Sequence, residues 1–132
     1  MKIRRQSREI ALQILFQIEF APQIEYSEFL EVFEQSYDQE TLDFADLLIT
    51  GVKSHKEQID AMITSSGSHW SLNRMAIVDR NILRIAIFET KIMPDPSKPS
   101  IAINEAIELA KKFSTTESAG FVNGVLDQVT QA

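Results

Sequence analysis

Three of the chain's four prolines fall inside one stretch, PDPSKP (94–99), and the whole sequence holds only four glycines. Proline and glycine end helices and shape turns. Their concentration at one point leaves long runs on either side free to be helical.

The apolar spacing in those runs is helical rather than the alternation of a strand. Residues about 3–20 place Ile3, Ile10, Ala11, Ile14 and Ile18 on one stripe, and Pro22 stops the helix. Residues about 26–36 put Phe29, Leu30 and Phe33 on one face, with Ser27 as the N-cap. A long helix is predicted over about 39–64, through Leu42, Ala45, Leu47, Leu48, Val52, Ile59, Met62 and Ile63. Gly51 lies inside it, at about 1 kcal/mol relative to Ala, and offers room for close packing. SSGSHWSLN breaks the period, and a short helical turn is expected after Ser71.

The run IVDRNILRIAIFETKIM, about 77–92, is apolar on most sides and belongs in the middle of a bundle. After PDPSKP comes SIAINEAIELAKKF, whose closing Lys111 and Lys112 complement the helix dipole. Ser114 and Glu117 have capping-box spacing ahead of a last helix through Phe121, Val122, Val125, Leu126 and Val129. The expectation is an all-α single domain, 1–132, of six or seven helices. The break near 65–70 divides it into an N-terminal half of about 1–65 and a C-terminal half of about 71–132.

Several function classes are disfavoured. There is no cysteine, so no disulfide framework and no thiolate chemistry, which fits a reducing, cytoplasmic setting. The N-terminus lacks the apolar core of a signal peptide, and no run approaches the length of a membrane span. There is no glycine-rich phosphate loop and no nucleophile elbow. His55 and His69 belong to no ligand-spaced set. No catalytic residue, metal site or cofactor is expected.

Charge is more informative. The chain carries 13 Lys and Arg against 19 Asp and Glu, yet Lys2, Arg4, Arg5 and Arg8 all fall in the first eight residues. Between Glu9 and Val52 there are ten acids and no Lys or Arg. A basic tip beside an acidic belt suggests a nucleic-acid arm next to a surface for a basic partner. With Arg4 set at 0° on a helix of about 100° per residue, Arg8, Arg5 and Lys2 fall near 40°, 100° and 160°. Leu12 and Phe16 climb the same flank in line with Arg5. Cations neutralise phosphates, and an aromatic ring gives an unpaired base a stacking surface, so the flank suits single-stranded nucleic acid. The competing reading has Leu12 and Phe16 packed on another helix with the arginines solvated.

Three stretches carry a resemblance over essentially the whole chain. RRQSREIALQILF, VDRNILRIAIFE (Val78 to Glu89) and AINEAIELAKKFSTTESAGFVNGVLDQV (Ala102 to Val129) are similar to the NusB family of bacterial antitermination factors. The resemblance implies two small three-helix bundles. It also implies binding to boxA RNA of nascent ribosomal transcripts together with the ribosomal protein NusE, in an RNA polymerase antitermination complex. By match to the family's arginine-rich motif, Arg4, Arg5 and Arg8 are RNA-binding residues, and Lys2 by position. Gln6 replaces what is often a third consecutive arginine, which implies lower affinity. Phe16 stands where some members have Tyr. Asn73 and Asp79 fall at positions that touch RNA in the family, and Phe113 and Phe121 match aromatics near the RNA path. Some relatives dimerise in the free state over the RNA face. The alternative function is a protein-binding adaptor without direct RNA recognition.

Other residues of these stretches read as structural. Gly124 is expected to let two helices approach. Asn104 and Asn123 are expected to satisfy backbone groups at helix junctions. Arg84, inside an apolar helix, needs an acid, with Glu105 or Glu89 as candidates.

Overall fold

A central helix that is buried nearly all round organises the molecule. In this computed structural model, which describes residues 2–65 and 71–131, that helix is α5 (Ile77–Ile87). Every residue from Asp79 to Glu89 except Arg80 is buried. A helix buried on nearly every side is stable only when neighbours cover its apolar residues and pair its polar ones. Here α1 (Lys2–Phe20) lies on one side, and α6 (Pro99–Phe113) with α7 (Thr116–Gln131) on the other.

The first half pairs α1 with α3 (Gln39–Ser54), flanked by the short α2 (Tyr26–Glu31) and α4 (Lys56–Thr64). The second half is the α5, α6 and α7 bundle. One apolar cluster runs through both, from Ile10 and Ile14 of α1 through Leu48 and Ile49 of α3 to Leu83 of α5 and Leu126 of α7. The described residues contain helices, turns and loops but no strand, as the helical spacing requires. His69 and the rest of 66–70, and the Lys2 side chain, lie outside the described residues.

Three elements differ from their sequence-based bounds. The 26–36 segment is helical only to Glu31 and continues as turns. Glu25, Glu28, Glu31 and Glu34 repeat at intervals of three, where like charges repel, and the last turn of the helix itself holds no basic residue. Ser27 is not the cap: Glu25 precedes the helix without a side-chain cap bond. The 39–64 helix divides at His55, where the backbone leaves the helical region (φ −114°, ψ 20°). His55 folds back so that its Nδ1–H donates to Gly51 O at 2.9 Å, beside its own backbone N–H at 3.1 Å.

The 77–92 run ends in a wide turn, Phe88–Ile92, closed by a bond from Met93 N to Phe88 O at 2.9 Å. That widening turns both Phe88 and Glu89 inward. The Phe88 ring lies against Gly51, where a β-carbon would stand 2.2 Å from the ring. Pro99 opens α6 in the first turn, where its missing N–H is unneeded. Thr115, rather than Ser114, caps α7: its Oγ1 accepts from Ser118 N–H at 3.0 Å.

Candidate nucleic-acid interface

The three arginines of α1 have three different environments. Arg4 is exposed and lies over the Phe44 ring of α3, 4.2 Å from its centroid. Among the described residues no carboxylate lies within ion-pairing distance of it. Arg5, half exposed, donates from Nε and Nη2 to the Glu105 carboxylate of α6 at 3.0 and 2.8 Å. Arg8 is only 4% exposed, so the expectation that it stands on the open flank is corrected. Its Nε and Nη2 grip both oxygens of Glu89 at 2.7 and 2.8 Å, and its Nη1 reaches Glu105 at 3.4 Å. Glu89 is 1% exposed and also accepts from Ser97 Oγ at 2.9 Å. From half-buried Ser97 of the linker, a chain of alternating charge therefore runs through the interior to the surface: Glu89, Arg8, Glu105, Arg5.

Farther along the same flank α1 and α6 remain linked. Lys112 Nζ donates to Glu9 at 2.9 Å and lies 5.5 Å from the Phe113 ring centroid. Beyond it Leu12, Gln13, Phe16 and Gln17 of α1 face Phe113 of α6 and Val78 of α5 across a groove of about 210 Å³. Leu12 forms the buried floor. Phe16 is half-buried, one face against Phe20 with ring centroids 4.9 Å apart. Two glutamine amides stand exposed at the mouth. The two readings of Phe16 thus merge: it packs, and it also lines an open groove.

Asp79 sits next in sequence to Val78 and is 7% exposed. Ser118 Oγ donates to its Oδ2 at 2.9 Å, while Oδ1 has no partner among the described residues. Ser114 Oγ in turn donates to the Ser118 hydroxyl at 2.9 Å, so the start of α7 holds one edge of Asp79, and the other edge is buried without a partner among the described residues. Asn73 is exposed on a separate turn, Leu72–Arg74. Phe121 is half-buried against the core. Of the expected residues, the groove brings together Phe16 and Phe113, with Asp79 beside its Val78 wall.

Protonation follows these contacts. The Glu105 carboxyl is held below its ordinary value, chiefly by the hydrogen bonds from Arg5, and Arg5 is raised by the same bonds. Glu19 belongs to a second network. Burial pushes its carboxyl up, but hydrogen bonds from Arg80 and Asn81 bring it below the ordinary value. Arg80 pairs with Glu19 and Asn81 Nδ2 donates to it at 2.6 Å. Arg84 pairs with Asp60 of α4 through Nε at 2.9 Å and Nη2 at 3.1 Å, and with Glu19 at 3.4 Å. This corrects the partner expected for Arg84, because Glu89 and Glu105 serve Arg8 and Arg5.

Two further expectations are corrected. Gly124 is exposed, and a β-carbon there meets nothing within 4 Å, so it spaces no helices. Asn104 is exposed and Asn123 half-exposed; the buried asparagine that satisfies polar groups is Asn81, which also donates to Ile77 O at 3.0 Å. Glu89 and Lys112 are the site residues that spacing did not reveal as such. Among the described residues no three His, Asp or Glu side chains converge as metal ligands, and no helix is long and apolar enough to cross a membrane.

Fold and face together define a class: an all-α protein of two packed bundles that presents cations and an aromatic groove along one helix. The sequence profile of the NusB family matches residues 5–131. The transcription antitermination protein NusB of Bdellovibrio bacteriovorus is 62% identical over 129 residues, covering 98% of this chain and 96% of the relative. That of Myxococcus xanthus is 45% identical over 139 residues, covering 100% and 97%. Among solved structures, T. maritima NusB superposes with a TM-score of 0.87 at 37% identity, over 97% of this chain and 90% of that one. A chain from a complex of the antitermination factors NusB and NusE with double-stranded RNA matches with a TM-score of 0.85 at 27% identity, over 99% and 98%. The chain belongs to the NusB family.

Proposed function

We propose that the protein is a cytoplasmic transcription antitermination factor that binds boxA RNA of nascent ribosomal transcripts together with NusE and tethers that RNA to RNA polymerase. The observation that carries this reading is the continuity of the α1 flank. The cations Arg5 and Lys112 lead along the α1–α6 seam to an aromatic groove between Phe16 and Phe113, and Arg4 stands exposed on the α3 side of the same helix. Phosphates pair with the arginines, and an unpaired base enters the groove to stack. Asp79, carried over from the family resemblance, lies beneath the Val78 wall of the groove and acts on the strand from there. Lys2, Asn73 and Phe121 belong to the same proposal through the family resemblance. Arg8 acts from beneath, anchoring Glu105. The mechanism is scaffolding: no bond is broken. A free-state homodimer belongs to the same proposal, closing over this face and opening on RNA.

A protein-binding adaptor is the second reading. One observation favours it: Arg5 and Arg8 are already neutralised by carboxylates. Fluorescence anisotropy of labelled boxA RNA, with and without NusE, decides between them. Preferential binding of boxA over a scrambled strand, strengthened by NusE, supports the RNA reading. Equal weak binding of both strands, with NusE bound normally, supports the adaptor.

A further inference from the structure

We infer that Glu105 is an internal competitor for RNA phosphate, a carboxylate that occupies Arg5 until a strand displaces it; this rests on the RNA-binding reading above. A carboxylate and a phosphate are alternative acceptors for the same guanidinium fork, each offering two anionic oxygens to its paired N–H groups. Glu105 already takes the Nε and Nη2 edge of Arg5, with both oxygens engaged. A phosphate seeking that edge must replace it.

The surroundings make the exchange reversible. Glu105 is held from behind by Arg8, whose Nη1 lies 3.4 Å from Oε1, so losing Arg5 does not leave a bare carboxylate. Arg8 is itself fixed by Glu89. The movable member is Arg5, with a long side chain that is half exposed, whereas Glu105 is 15% exposed. Arg5 therefore has two anion-bound positions, on the carboxylate or on the phosphate, and the acid stays put. Exposed pairs of this kind are weak enough to be exchanged.

The consequence is a threshold. If the docked position dominates in free protein, apparent affinity falls by the fraction of molecules in which Arg5 is available. The reduction is the same for every RNA sequence. Strands that offer phosphates alone are held poorly, and strands that add base contacts or arrive with a protein partner still bind.

Glu105→Gln keeps the shape and removes the competing charge. With boxA RNA and NusE it is expected to tighten binding roughly three- to ten-fold, and to tighten scrambled RNA by the same factor. In an Arg5→Ala background the gain disappears. Glu108→Gln removes an acid from the same helix that makes no hydrogen bond to Arg5, and is expected to have a smaller effect. In the unsubstituted protein, the Arg5 Nε–H resonance shifts on RNA addition as the guanidinium changes partner; this readout needs no variant to fold.

Weaker or unchanged binding by Glu105→Gln would make Glu105 a positioning residue and overturn the inference. So would a gain that survives Arg5→Ala, a gain matched by Glu108→Gln, or an Arg5 resonance unmoved by bound RNA. If neither protein distinguishes boxA from the scrambled strand, the RNA reading itself fails. If the unsubstituted protein binds boxA and Glu105→Gln is no tighter, only the competition fails.

Discussion

The Phe88 ring occupies the space over Gly51 that a β-carbon would need, with three ring atoms 2.2 to 2.6 Å from that position. Phe88 is buried at the start of the wide turn after α5, so the ring has nowhere to retreat. This contact seats α3 against the end of α5. Gly51→Ala is expected to destabilise by about 1–3 kcal/mol through overpacking, despite the better helix propensity of alanine. Gly124→Ala, on an open helix surface, is expected to stabilise by about 0.5–1 kcal/mol. Urea unfolding of the two variants checks the opposite signs.

Arg8 is a stability residue before it is anything else. Removing it leaves Glu89 with a buried, uncompensated charge. Arg8→Ala is expected to lose about 3–5 kcal/mol of unfolding free energy. Arg4→Ala, at an exposed site without an ion pair, is expected to stay within about 0.5 kcal/mol of the parent. Chemical denaturation of both, followed by circular dichroism, separates the two roles within one turn of helix.

The acid limb of stability has named sources. Glu19 and Glu105 both have folded-state values depressed below the ordinary carboxylate value. Such groups stabilise the fold at every pH above the unfolded value of about 4.3, and that stabilisation is lost as pH falls through the folded values. Unfolding free energy is expected to be flat near neutrality and to decline below about pH 5. Glu19→Gln is expected to make the decline shallower. An identical slope in the variant would remove Glu19 from this account.

Stacking at the groove separates from packing by choice of substitution. Phe16→Leu keeps apolar bulk against Phe20 and removes the aromatic face. It is expected to weaken RNA binding by about 1 kcal/mol or more while unfolding little changed. Phe16→Tyr keeps the face and is expected to bind at least as well. Parallel binding and melting measurements on both variants test this.

Local spacing and tertiary contact divide what the sequence reveals. The spacing of Ile10, Ile14 and Ile18 gives α1, and the proline-rich linker and Lys112 bracket α6, because amphipathic stripes and end signals are local. The stop at Glu31, the corner at His55 and the wide turn at Phe88 answer to charge repetition and to packing partners far along the chain. At the candidate interface, the basic tip is legible as composition. The pairs that neutralise it are not: Arg5 meets Glu105 across 100 positions and Arg8 meets Glu89 across 81. Helical angles alone put Arg8 on the open flank, and only the inward turn of Glu89 shows why it is buried. Asn73, Asp79, Phe113 and Phe121 came from family resemblance rather than from periodicity, and of these the groove wall contains Phe113.

The salt dependence of RNA binding by Arg4→Ala tests the docking flank most directly, since Arg4 is its one cation without a carboxylate partner among the described arginines of α1. With boxA RNA and NusE, the slope of log K against log salt is expected to be shallower than in the parent protein by about 0.7, one phosphate contact. A slope identical to the parent's, with affinity unchanged across the salt range, would contradict the claim that this flank holds the strand.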